Sequence, residues 1–241
     1  PENDDGAEVP VGSYATYVPE LDSIAYGKPV TFRPFINAYQ YMKYDADKNE
    51  YSNRSIIFKS WKDEAIDAKG GVRCGKIPAK ELANLSEEER AKQKAIKCYR
   101  LIYGLVSFDG VLPGGADAHV SNLPVLWKVT GSNFKPVGEA IESLRRRGKV
   151  MFNHTLTLKT KKKKAGSNVF YVSDITVDKD EVSFTDTEKE TLLSFQETIN
   201  TENEEIVELW RQAKKAEPVV VKANEAKAVD AELEDDPIEV L

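Results

Sequence analysis

The stretch LPVLWKVTGSNFKPVGEAIESLRRRGK, residues 123–149, passes from a short apolar run into a segment with helical spacing. Leu123 to Val129 reads as a buried strand. In the segment that follows, Ser132 to Arg147, Val137, Ile141 and Leu144 fall on one helical face. Arg145, Arg146 and Arg147 then place cations in the last turn and Gly148 lies just past it, a favourable helix end. A strand leading into a single helix fixes where the neighbouring elements must belong.

Working outward, Met151 to Lys159 alternates, with Phe152, His154, Leu156 and Leu158 on one side, and Val169 to Val177 is another strand. Between them lies the basic run Lys159-Thr160-Lys161-Lys162-Lys163-Lys164, expected as a loop. Upstream, Cys98 to Phe108 (CYRLIYGLVSF) reads as a strand interrupted by Gly104, and a long loop follows around Pro113-Gly114-Gly115. Ser86 and Glu89 have capping-box spacing and open a helix over about 87–97. Val30 to Tyr44 is a long aromatic, β-branched strand with Pro34 at an edge or bulge, and Arg54 to Trp61 is the next strand. Thr185 or Asp186 caps a helix over about 187–199, and a second helical stretch covers about 203–216, where Ile206, Leu209 and Trp210 form an apolar stripe. Packing on the body or contact with a second copy would bury that stripe.

The expected class is mainly β, α+β overall. A helix between the third and fourth core strands of a small barrel is the plan of a five-stranded OB-fold, here with C-terminal helices added. Four segments follow: an arm over 1–29, a barrel-like domain over 30–177, a helical segment over 178–217 and a disordered acidic tail over 218–241.

Charge is distributed unevenly. Residues 1–30 carry net −5, residues 31–176 net +11 and residues 177–241 net −12, which together make the −6 of all 241 residues. A basic body with an acidic end points to a polyanionic partner; a well-solvated surface is the plainer account. No run approaches the length of a membrane span, so a soluble chain is expected, with no membrane contact. The acidic opening Pro1-Glu2-Asn3-Asp4-Asp5 has no signal-peptide pattern. Cys74 and Cys98 are not a disulfide framework, and with His119 and His154 they lack zinc-motif spacing.

Single-stranded nucleic acid is held by cations along its phosphates and by rings on which unstacked bases lie. Of the 22 aromatic residues, 11 fall between Tyr14 and Trp61. The phosphate candidates are Arg33, Lys43, Arg54, Lys59 and Lys62, then Arg145, Arg146 and Arg147, then Lys159, Lys161, Lys162, Lys163 and Lys164. The stacking candidates are Phe35, Tyr39, Tyr41, Tyr44, Trp61 and Tyr103, although any single ring reads more readily as core; Phe58 and Trp127 are assigned to the core. Phosphate-cradling, dinucleotide, zincin and nucleophile-elbow motifs are missing, so no catalytic residue, metal or cofactor is expected. The end, Asp235-Asp236-Pro237-Ile238-Glu239-Val240-Leu241, joins acids to apolar residues and suits docking on a partner through Asp235, Asp236, Pro237, Ile238, Val240 and Leu241.

The basic, aromatic body and this tail, with YRLIYGLVSFDG (99–110) and the 123–149 stretch, resemble the single-stranded DNA-binding proteins of tailed bacteriophages. The tail is also similar to those of bacterial single-strand binding proteins, which finish on Pro-Phe. The resemblance implies a non-enzymatic protein of DNA replication, recombination and repair, acting in the cytoplasm of an infected bacterial host. It would coat exposed strands and recruit replication or recombination proteins through its tail. The rival is a non-catalytic interaction or virion scaffold protein whose basic body meets a partner's acidic surface.

Overall fold

The computed structural model describes residues 10–60, 66–68 and 79–216. Among them, eight strands join in one large antiparallel sheet that is not closed: β1 (Tyr14–Val18), β2 (Ser23–Gly27), β3 (Val30–Asp45), β4 (Glu50–Arg54), β5 (Lys97–Val111), β6 (Asp117–Val129), β7 (Leu156–Ala165) and β8 (Asn168–Val177). The helices are α1 (Ala79–Asn84), α2 (Glu87–Ala95), α3 (Phe134–Arg146) and α4 (Asp186–Ala216). The fold is therefore mainly β with helices added. The chain divides into two units: the described residues of Pro1–Tyr39 and Cys98–Phe195, and those of Gln40–Lys97 and Gln196–Leu241. β3 and α4 contribute residues to both.

The first unit is built around β5. Its partners are β6, from Arg100↔Val129 to Val111↔Asp117, then β2 at Tyr26↔Val111 and Gly27↔Gly110, and β3. β3 in turn pairs with β7 over Val30↔Leu158 to Phe32↔Leu156, and β7 with β8 over ten rungs. Phe32, Ile102, Val106, Phe108, Val120, Leu156 and Leu158 fill the core with Val137 and Leu144 of α3, and Trp127 meets Phe32 edge-on at 5.6 Å. The helical face expected from 132–147 is thus the buried one. Gly148 adopts φ 67°, and the Lys149 N–H reaches back to the Leu144 carbonyl, which ends α3 where the sequence says it should.

β5 is buried on both faces, which is why its sequence is a nearly continuous apolar run. Ile102 and Val106 face the core, while Leu101, Tyr103 and Leu105 on the other side are buried too. Phe195 covers that second side, 5.3 Å from Tyr103 and 6.3 Å from Phe35, and Phe184 meets Phe35 at 5.4 Å. Gly104 sits where β3 approaches most closely. A Cβ there would press into the Arg33 carbonyl oxygen and stand 2.9 Å from the Phe32 ring. Gly104→Ala is accordingly expected to cost about 1–3 kcal/mol by overpacking, read from the midpoint of urea unfolding.

In the second unit, the end of β3 pairs with β4 from Met42↔Arg54 to Asp45↔Glu50 around a turn in which Asn49 takes φ 52°. Ser86 and Glu89 form the expected capping box at the start of α2. The Gln196–Ala216 part of α4 is clamped by polar side chains. Glu202 accepts from Gln40 (2.6 Å) and pairs with Arg54 (2.8 Å), while Asn203 accepts from the Ile57 N–H (2.6 Å) and donates to the Ile57 carbonyl (3.0 Å).

Several expectations need correcting. Residues 14–27, expected within an arm, form β1 and β2 and enter the sheet. Over 54–60, where a continuous strand is expected, β4 ends at Arg54 and is followed by isolated bridges, one of them from Ser55 to Asp67. The strand expected from Met151 begins at Leu156. The loop expected between β5 and β6 shrinks because both strands extend to meet it. The two C-terminal helices expected over about 187–199 and 203–216 are one, α4, and at their expected junction Glu202 and Asn203 spend their side chains on Gln40, Arg54 and Ile57. The lysine run is not a loop. It lies inside β7, held in register by the β-branched and aromatic residues of β8, and the chain reverses over Gly166-Ser167 alone. Gly166 at φ 61° is the first central residue of that turn, the position where a primed hairpin turn requires glycine.

Candidate nucleic-acid interface

Among the described residues, the β7–β8 hairpin carries the densest run of lysines. Five lysines, Lys159 and Lys161 to Lys164, stand against one acid, Asp174, and all five are exposed. Antiparallel pairing sets Lys161 opposite Val172, Lys162 opposite Tyr171, Lys163 opposite Phe170 and Lys164 opposite Val169. Lys161 forms an ion pair with Asp174 at 2.6 Å. Among the described residues, Lys159, Lys162, Lys163 and Lys164 have no acid within ion-pair distance. Tyr171 is half-buried: Gly12 leaves room for one edge of its ring, and the Lys28 ammonium stands 5.8 Å from its centre.

A second basic cluster lies at the C-terminal end of α3. Arg145, Arg146 and Arg147 are exposed. Arg145 is committed to Glu142 at 2.6 Å, and its guanidinium holds that carboxyl below the ordinary range. Arg146 and Arg147 have no such acid among the described residues.

In the second unit, the β3–β4 hairpin carries an exposed aromatic pair. Tyr44 (50% exposed) and Tyr51 (38% exposed) meet edge-on at 5.3 Å, and the Tyr44 hydroxyl donates to Asn49. Arg54 lies 6.0 Å from the Tyr51 ring centre, Lys43 is half-buried nearby in sequence, and Lys59 is exposed. Arg54 is also bound to Glu202, so only part of its donor capacity is available to a ligand.

Five further candidates, Arg33, Phe35, Tyr39, Tyr41 and Tyr103, are buried. Arg33 is 6% exposed; it donates to the Phe152 carbonyl (2.8 Å) and the Ser183 carbonyl (3.0 Å) and pairs with Glu188. Phe35 is enclosed by Phe184 and Phe195, and Tyr103 by Phe195. Tyr39 is buried with its hydroxyl accepting from Arg100 at 2.9 Å; the Arg100 guanidinium lies 4.9 Å from both the Tyr39 and Phe134 rings. Tyr41 is buried and stacks on Phe58 at 5.6 Å. Simple alternation would place Phe35 and Tyr39 on one side of β3, but Phe35 packs toward Phe195 whereas Asn37 and Tyr39 meet Arg100 on the side of Phe134, so the strand changes face between them and both rings are buried. Trp61, Lys62 and the tail residues Asp235, Asp236, Pro237, Ile238, Val240 and Leu241 lie outside the described residues.

Sequence reasoning missed Tyr51, Tyr171, Phe170 and Lys28. For Tyr51 the signal was present, since Tyr44 and Tyr51 flank a polar turn at hairpin spacing. Tyr171 and Phe170 follow from counting back across the Gly166-Ser167 turn, once the lysines are placed on a strand.

Among the described residues, no three His, Cys, Asp or Glu side chains gather as a metal site would require, and no helix is long and apolar enough to cross a membrane. His119 and Asp109 do meet at 2.6 Å, on the exposed β5–β6 hairpin. No protein-family model matches the chain, and no curated protein or solved structure matches it either.

Proposed function

We propose that this chain is a sequence-tolerant, non-enzymatic single-stranded DNA-binding protein of phage-type replication, recombination and repair, working in the cytoplasm of an infected bacterium. The β7–β8 hairpin carries the reading: its exposed lysines outnumber its acids five to one and are interleaved with Tyr171 and Phe170. Mobile ammonium groups neutralise phosphates without reading bases, and exposed rings accept any base. Arg146, Arg147, Lys43 and Lys59 add cations, and Tyr44 with Tyr51 adds a second ring platform.

The finer fold reading belongs to the same proposal. The path β6–β5–β3–β7–β8, with α3 between β6 and β7, has the strand order of an OB-fold whose first strand is β3 and whose third and fifth strands stand apart. In that mapping the β7–β8 hairpin is one of the two loops that grip oligonucleotides in this fold. The acidic tail docks replication or recombination proteins.

Binding of a labelled oligothymidylate and of a duplex, over a salt series, tests the proposal. Full-length protein is compared with a chain ending at Val229, which removes six acids and no base and so brings the net charge from −6 to 0. Preferential, salt-sensitive binding to the single strand, tighter in the shortened chain, is the expected result. Equal weak binding to both forms, unchanged by shortening, would leave the interaction-protein alternative. Tyr44→Ala and Tyr51→Ala should each weaken single-strand binding by about 1–3 kcal/mol, read by fluorescence anisotropy, with little effect on stability because both rings are exposed.

A further inference from the structure

We propose that the β7–β8 hairpin is a two-faced ribbon that holds two separate segments of single-stranded nucleic acid at once, one on each face. The inference rests on the single-strand reading above and adds to it a bridging geometry.

Residues opposite one another in an antiparallel pair project to the same face, and successive residues along a strand to opposite faces. One face of the ribbon therefore carries Lys162 with Tyr171 and Lys164 with Val169. Lys28, beside the Tyr171 ring, adds a third cation to it. The opposite face carries Lys163 with Phe170 and Lys161 with Val172, and Lys159 with Asp174 further down. The first face sums to +3 and the second, after Asp174, to +2.

The combination needed to hold a single strand, several cations beside an aromatic ring, thus occurs twice, back to back. From Lys161 to Val169 every residue of the hairpin is exposed, and Phe170 and Tyr171 are both half-buried. Both sides of the ribbon's end are therefore open to solvent.

Separation decides that the two sides recruit different phosphates. Lysine side chains extending from opposite faces of a strand pair place their ammonium groups on the order of 10 Å or more apart, because a sheet with its side chains is about that thick. At physiological ionic strength the screening length is about 8 Å. A phosphate neutralised on one face is consequently of little help to the cations on the other. A backbone lying on one face leaves the other face's charge unmatched and able to take a second segment.

The test uses full-length protein with two octathymidylates, one carrying a donor dye and one an acceptor. Sedimentation of the same samples identifies the complex that contains one protein chain. Wild-type protein should give energy transfer between the two oligonucleotides in that complex. Lys162→Gln/Lys164→Gln and Lys159→Gln/Lys163→Gln should each still bind one oligonucleotide while transfer falls at least threefold. Absence of transfer in the wild type, despite binding, overturns the bridge and leaves the single-strand reading intact. Transfer that persists in both variants also overturns it, because the second segment then lies elsewhere. Failure to bind either oligonucleotide removes both proposals together.

Discussion

Replacing Glu188 by alanine is expected to destabilise the chain by about 3–5 kcal/mol, because it strands the buried Arg33 cation. Glu188 does two jobs with its two oxygens. One pairs with the Arg33 guanidinium; the other accepts from the Thr185 N–H at 2.7 Å and closes a capping box at the start of α4. The carbonyls of Phe152 and Ser183 remain on Arg33 after the substitution and soften the loss, so the lower end of the range is expected. The double variant Arg33→Met/Glu188→Met should lose clearly less than the two single losses added together, since it leaves no unpaired buried charge. Urea unfolding of the wild type, Arg33→Met, Glu188→Met and the double variant completes the cycle. A loss below about 1 kcal/mol for Glu188→Ala would show that the pair is solvated and the assignment of Arg33 to the interior wrong.

The second large effect falls on binding and leaves stability alone. The triple change Lys162→Gln/Lys163→Gln/Lys164→Gln removes three exposed cations that have no acidic partner among the described residues. Each phosphate contact on a single strand contributes about 0.7 to the salt slope, so the slope should fall by about 2 and the affinity at 0.1 M salt by about a hundredfold. The urea midpoint should move by less than about 0.5 kcal/mol equivalent, as for other surface substitutions. An unchanged slope would take the ribbon out of the interface.

What could be read without coordinates was what local chemistry decides. The Ser86–Glu89 box, the buried face of α3 and its Gly148 end all appear as expected, because each depends on residues within one or two turns of one another. What escaped depends on distant partners. Four lysines in a row look like a loop until Val169, Phe170, Tyr171 and Val172 are set opposite them. Phe35 and Tyr103 look like platforms until Phe195 is laid on them, and Arg33 looks like a phosphate contact until Glu188, 155 residues on, arrives. Tyr44 is exposed, and its ring neighbour among the described residues is Tyr51, seven residues away across a turn.

That separation of 155 residues between Arg33 and Glu188 also has a temporal side. A ribosome adding about 5–20 residues per second needs roughly 8–30 s to travel from one to the other. Once Val111 has been added β3 and β5 can pair, but the apolar side that Phe35 and Tyr103 present stays bare, waiting for Phe184 and Phe195. A nascent chain paused between Val111 and Phe195 would thus carry a sticky, half-finished sheet. The aromatic-rich segment that resembles a binding surface in the sequence is, during synthesis, the part most in need of a chaperone.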